Sequence, residues 1–124
     1  MGQKVLIADD DRVFVELIGT RLRSQGLEVS VAFDAMQAMM VAVKVLPDAI
    51  LLDVKMPGGT GLETIKKLKA SMKTSHIPVV IASALDDPAL GETVKGLGAA
   101  EFLHKPATFD DVYAALCRAL GRKP

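Results

Sequence analysis

Short β-rich runs and longer helical patterns take turns along this chain, five of each. Lys4 to Ala8 reads as a buried strand, Glu28 to Phe33 as a second, and Ala49 to Leu52 as a solid apolar third. Pro78 to Ala82 and Ala100 to His104 supply the fourth and fifth. Between them, Asp11 can cap a helix whose Phe14, Leu17, Ile18 and Leu22 recur at helical spacing, with Gly26 ending it. Asp34 caps a second helix running to about Leu46, broken by Pro47-Asp48. Leu62, Ile65, Leu68 and Met72 mark a third. Asp87 and Pro88 form a cap and first-turn pair for a fourth. Thr108 can cap a fifth, with Phe109, Val112, Tyr113, Leu116, Cys117 and Leu120 on one face.

Strict alternation implies a parallel sheet covered by helices on both faces. Right-handed crossovers leave few topologies. The natural one at this size is a doubly wound, flavodoxin-like α/β sheet of five strands in the order 2-1-3-4-5, with five helices. A length of 124 residues suits a single domain over 1–124, with its core at about 4–120.

Lys plus Arg equals Asp plus Glu, so the formal net charge is zero. A nucleic-acid-binding module would be basic, so no direct nucleic-acid contact is expected. Half the residues are hydrophobic, enough for a sizeable core, but no apolar stretch nears the ~20 residues needed to cross a membrane. The apolar run Val5 to Ala8 is too short for a secretory leader. The single Cys117 excludes an intramolecular disulfide and reads as a buried thiol on an apolar stripe, which fits a cytoplasmic setting.

Ligand chemistry in doubly wound sheets gathers at the carboxyl ends of the strands. Here those ends carry Asp9, Asp10 and Asp11 after strand one, Asp53 after strand three, Ser83 after strand four and Lys105 after strand five. Singly, each has a bland explanation: a helix cap, a surface turn, a local hydrogen bond. Jointly they form the inventory for handling a phosphoryl group. One carboxylate attacks, a hard cation held by carboxylates and a lysine neutralise oxygens, and a hydroxyl holds one of them.

The chain resembles the receiver domain of two-component response regulators from about Lys4 to Leu120. The matching stretches are Val5 to Asp11, Asp53 to Gly61 (including the loop Met56-Pro57-Gly58-Gly59-Thr60-Gly61), Ile81 to Ala84 and Phe102 to Pro106. The resemblance implies a signalling phosphoacceptor that assists only its own phosphorylation and dephosphorylation, and not an enzyme in the ordinary sense. Asp53 takes the phosphoryl group from a phosphohistidine on a sensor kinase or phosphotransfer protein. Asp9 and Asp10 hold Mg²⁺ together with Asp53 and the backbone carbonyl of Lys55. Ser83 and Lys105 serve the phosphoryl group, and Phe102 is the switch aromatic. An output partner is implied but not named. Ser83 stands where Thr is frequent, and Phe102 lacks a tyrosine hydroxyl, so a switch there is steric. Neither His76 nor His104 is expected to be a ligand or phosphodonor.

The main alternative is a phosphatase resembling the haloacid dehalogenase superfamily, with Asp9 as nucleophile in Asp9-Asp10-Asp11-Arg12-Val13. It would need Asp110 and Asp111 beyond another strand, whereas they sit where a helix should begin. A flavin module would need a phosphate loop after strand one, where three carboxylates stand instead. A degenerate scaffold would not keep the full set of Asp9, Asp10, Asp53, Ser83 and Lys105.

Three further expectations come from composition. The fourth helix, with Pro88, Gly91, Gly96 and Gly98, should be the least stable. Lys55 and Leu85 should flank the phosphoryl site, and Leu85 cannot activate a water. Met36, Met40 and Val43 should stand as a surface stripe on the second helix, suited to self-association or to a partner.

Overall fold

The computed structural model describes residues 2–56 and 59–124. Met1 and, from the predicted glycine-rich loop, Pro57 and Gly58 lie outside the described residues. The elements run β1 (Lys4–Ala8), α1 (Arg12–Ser24), β2 (Glu28–Ala32), α2 (Ala35–Val45), β3 (Ala49–Leu52), β4 (Lys55–Met56), β5 (Gly59–Thr60), α3 (Gly61–Ala70), β6 (Val79–Ser83), α4 (Leu90–Gly96), β7 (Glu101–His104) and α5 (Phe109–Leu120). All pairings in the main sheet are parallel, and its order is β2-β1-β3-β6-β7. Counting only its five strands, that is the expected 2-1-3-4-5. The antiparallel pair β4 and β5 was not expected.

Side-chain capping explains where most helices start. Asp11, Asp34 and Thr60 each accept from the amide three residues on, as Phe14, Gln37 and Glu63 donate. Thr108 and Asp111 close a reciprocal capping box on α5. The fourth helix departs from expectation. Asp87 and Pro88 do not start it: the Asp87 carboxylate accepts from the Ala89 amide in a turn of its own, and α4 begins at Leu90 with no side-chain cap.

The sheet separates two apolar layers. On one side Ala38 and Ala42 of α2, Ile65 and Leu68 of α3, and Leu90 and Val94 of α4 pack on alternate strand residues such as Leu6, Ile50 and Ile81. On the other, Val15, Ile18 and Leu22 of α1 and Val112, Leu116 and Cys117 of α5 pack on Val5, Ile7, Leu51 and Val80. One helical face is rotated from the expected phase, and one expected helical residue falls outside its helix. In α1, Val15 is buried and Leu17 is exposed. Met72 lies beyond the end of α3, fully in solvent. At the end of α2, Leu46 adopts a left-handed conformation and is exposed, not packed on the sheet.

Candidate functional site

The carboxyl ends of β1, β3 and β7 deliver the charged groups. Asp9 follows β1, and its backbone is tied to the neighbouring strand by a hydrogen bond from its amide to the Ala32 carbonyl, 3.0 Å. Asp53 follows β3, and its amide donates to the Ala8 carbonyl across the sheet, 2.9 Å. Parallel pairing of Ala8 with Leu52 thus brings the two aspartates side by side. Lys105 follows β7, and its amide donates to the Ser83 carbonyl, 2.8 Å. The Lys105–Pro106 peptide is cis.

Carboxylate oxygens of Asp9, Asp10 and Asp53 lie within 4.8 Å of one another, with Asp9 and Asp53 buried and Asp10 exposed. No histidine joins this cluster among the described residues. Such a group of hard oxygen donors could hold a metal ion. The ammonium of Lys105 reaches 2.5 Å from Asp9 Oδ2 and 3.9 Å from Asp53 Oδ2. The other oxygens are held locally: Asp9 Oδ1 accepts from the Asp11 amide, 2.9 Å, and Asp53 Oδ1 from the Lys55 amide, 3.2 Å. One ammonium facing three carboxylates leaves the cluster short of positive charge. Burial, and then the neighbouring Asp9, push the Asp53 carboxyl up from 3.8 to about 6, against the pull of Lys105 and the Lys55 amide.

These groups line an open pocket of about 300 Å³ with Asp11, Lys55, Ala84 and Leu85. Lys55 and Leu85 flank it as expected. Ser83 does not reach the lining: it is fully buried, and its hydroxyl accepts from the Leu85 amide, 3.1 Å. Phe102 is not part of the pocket either. Its half-buried ring lines a separate cleft with Asp87, Gly91, Glu92 and His104.

Two supporting residues escaped the sequence reading. The Lys105 ammonium sits 4.2 Å above the centre of the Phe14 ring, a cation–π contact that helps aim it. Phe14 read simply as a core residue. Gly61 comes so close to the Asp53 loop that a Cβ there would lie 2.5 Å from Val54 Cα and 2.7 Å from the Asp53 carbonyl oxygen. Its amide donates to the Val54 carbonyl, 2.7 Å. A glycine in a glycine-rich stretch was visible, but not which one the site requires.

Asp110 and Asp111 lie in the first turn of α5, where Asp111 closes the capping box with Thr108, and not beyond a further strand as the phosphatase reading requires. Asp9 is the more tightly ion-paired of the two buried aspartates, with Lys105 at 2.5 Å against 3.9 Å for Asp53.

The profile of the response regulator receiver domain matches residues 5–117. Response regulator PleD of Caulobacter vibrioides is 44% identical over 125 residues, an alignment covering 98% of this chain and 27% of PleD. Response regulator MprA of Mycobacterium bovis is 34% identical, covering 99% of this chain and 52% of MprA. The chain therefore spans between about a quarter and a half of these curated relatives. Among solved structures, the chemotaxis response regulator CheY4 of Vibrio cholerae superposes with a TM-score of 0.89 at 29% identity, over 97% of this chain and 100% of CheY4.

Proposed function

The chain belongs to the response regulator receiver domain family of two-component signalling, and from that membership we propose that residues 4–120 act as one receiver domain whose phosphoacceptor is Asp53. The observation that carries this reading is the convergence of Asp9, Asp10 and Asp53 on one spot with Lys105 between two of them. The phosphatase alternative has no support in the family match or in the placement of Asp9, Asp110 and Asp111.

Asp53 attacks the phosphorus of a phosphohistidine on a sensor kinase or phosphotransfer protein. The phosphorus–oxygen bond forms, the phosphorus–nitrogen bond breaks, and the imidazole leaves with the electron pair. Asp53 suits the role because Lys55 fixes one of its oxygens by a backbone hydrogen bond, while the other faces the Lys105 ammonium. Lys105 then balances charge on the transferred group. Asp9, Asp10, Asp53 and the Lys55 carbonyl would hold Mg²⁺, whose preference for hard oxygen donors matches this set. An ion held there would supply positive charge to offset that of the phosphoryl oxygens.

A phosphoryl group adds roughly one and a half to two negative charges and three acceptor oxygens beside Ser83 and Lys105. Ser83 Oγ accepts from the Leu85 amide and keeps its own O–H free to donate to that group, which it can reach only by leaving its buried position. Its shift draws the segment from Ala84 toward the site and frees Phe102 to turn, so that the surface of α4 and β7 reports the state of Asp53 to an output partner. The natural setting for this exchange is the cytoplasm; among the described residues no helix is long and apolar enough to cross a membrane.

Radiolabel from a phosphorylated histidine kinase or from a small phosphodonor should enter the wild type only with Mg²⁺ and should be lost in Asp53→Asn. Labelling that survives a chelator or the Asp53→Asn change would sink this reading.

A further inference from the structure

Single exposed hydrophobes are ordinary on a protein surface; grouped ones are not. Among the described residues, seven large hydrophobic side chains are exposed, and four of them belong to α2 or its C-cap: Met36, Met40, Val43 and Leu46. The cause lies in the sequence of the helix. Its fully buried face is made of Ala35, Ala38 and Ala42, so α2 lies close on the sheet; Met39 and Val41 pack partly against the core, and Met36, Met40 and Val43 are left on the outer flank. Met36 is 70% and Met40 65% exposed. Together with Met39 they line a groove of about 320 Å³ whose other wall is Thr60, Glu63 and Lys67 of the α3 start and its first turns.

The walls select the occupant. Glu63 and Lys67 are exposed, opposite in sign and one helical turn apart. Among the described residues neither is engaged in an ion pair. A strongly acidic partner would be attracted by one and repelled by the other, and a strongly basic partner likewise. A second copy of this chain docked about a two-fold axis meets neither conflict. Its Lys67 faces Glu63, its Glu63 faces Lys67, and methionines meet methionines, which adapt well to one another.

From this self-complementarity we infer that the α2–α3 groove is a self-association surface that pairs two copies of the chain about a two-fold axis. Four side chains and a shallow groove fall short of the ~800 Å² per partner of a standard interface, so the association is weak and concentration-dependent. The groove shares no lining residue with the acidic pocket, so pairing leaves Asp53 open to its phosphodonor, and the inference stands whether or not Asp53 is the phosphoacceptor.

Sedimentation velocity of the whole chain from micromolar to millimolar concentration tests it. The wild type should move from the mass of one chain toward that of two as concentration rises. Met36→Glu with Met40→Glu should remain at one. Both sites are exposed, and a glutamate at 36 falls in the first turn of α2, where negative charge favours the helix, so the variant should melt like the wild type. Glu63→Lys alone should weaken association about tenfold by setting like charges opposite each other. Adding Lys67→Glu to it should restore pairing. A wild type that stays monomeric to millimolar concentration overturns the inference. So does association that persists in the methionine variant, or a charge swap that fails to restore what Glu63→Lys removed.

Discussion

Lys105 stands between two carboxylates and favours Asp9 over Asp53, at 2.5 Å against 3.9 Å. Asp53 is therefore buried beside two other aspartates with only part of a counter-charge, and its carboxyl rises from 3.8 to about 6. Between those pH values the folded chain holds a proton there that the unfolded chain has already released. Stability of the metal-free protein thus falls as pH rises through that window, and above about pH 6 the full penalty of the buried charge is present. Removing the charge removes the penalty. Asp53→Asn should stabilise the metal-free protein by about 1–3 kcal/mol near pH 8 and by much less near pH 4. Millimolar Mg²⁺ should narrow the gap, because it binds and stabilises the wild-type trio. Thermal melts at the two pH values check this; a destabilised Asp53→Asn protein at pH 8 would contradict it. Gly61 is the other residue on which the site depends. Its α-hydrogen faces the backbone of Asp53 and Val54, which a methyl group would strike. Gly61→Ala should cost about 2 kcal/mol or more in urea unfolding and slow labelling of Asp53. An unchanged midpoint would show that the loop yields freely.

Among the helices, α4 is held least. It has seven residues and no side-chain cap, whereas α1, α2, α3 and α5 each have one. A helix that short is marginal without packing, and only Leu90 and Val94 of α4 are buried. Gly91 lies against the Phe102 ring, 3.5 Å from where its Cβ would stand, so a turning ring and a shifting helix act on each other. Hydrogen exchange should find α4 the fastest-exchanging helix. Beryllofluoride with Mg²⁺, which mimics the phosphoryl group, should change exchange most between Ala84 and Phe102. A change confined to α2 would count against a switch through α4.

Across the whole molecule, what the sequence made legible is what period and strand ends encode. Solid apolar runs such as Ala49 to Leu52 read as central strands, and the strand ends in the sequence already put Asp9, Asp53, Ser83 and Lys105 on one rim. Other features depend on tertiary geometry. With Val13, Phe14, Val15, Leu17 and Ile18 all apolar, the phase of α1 was ambiguous, and only packing on the sheet buries Val15 and leaves Leu17 outside. The two-residue strands β4 and β5 are too short to carry a pattern. Asp87-Pro88 is as good a turn as a cap, and the chain uses it as a turn. The buried Ser83 hydroxyl and the Phe14 ring beneath Lys105 are contacts between distant elements that no local pattern records. We propose that these elements converge to make Asp53, and no other carboxylate, the acceptor. Borohydride reduction of the phosphorylated chain followed by peptide mass spectrometry tests it directly, since an aspartyl phosphate is reduced to homoserine at its own position. Homoserine at position 53, formed only when Mg²⁺ was present, is the predicted result; homoserine at position 9 or 10, or none at all, would contradict it.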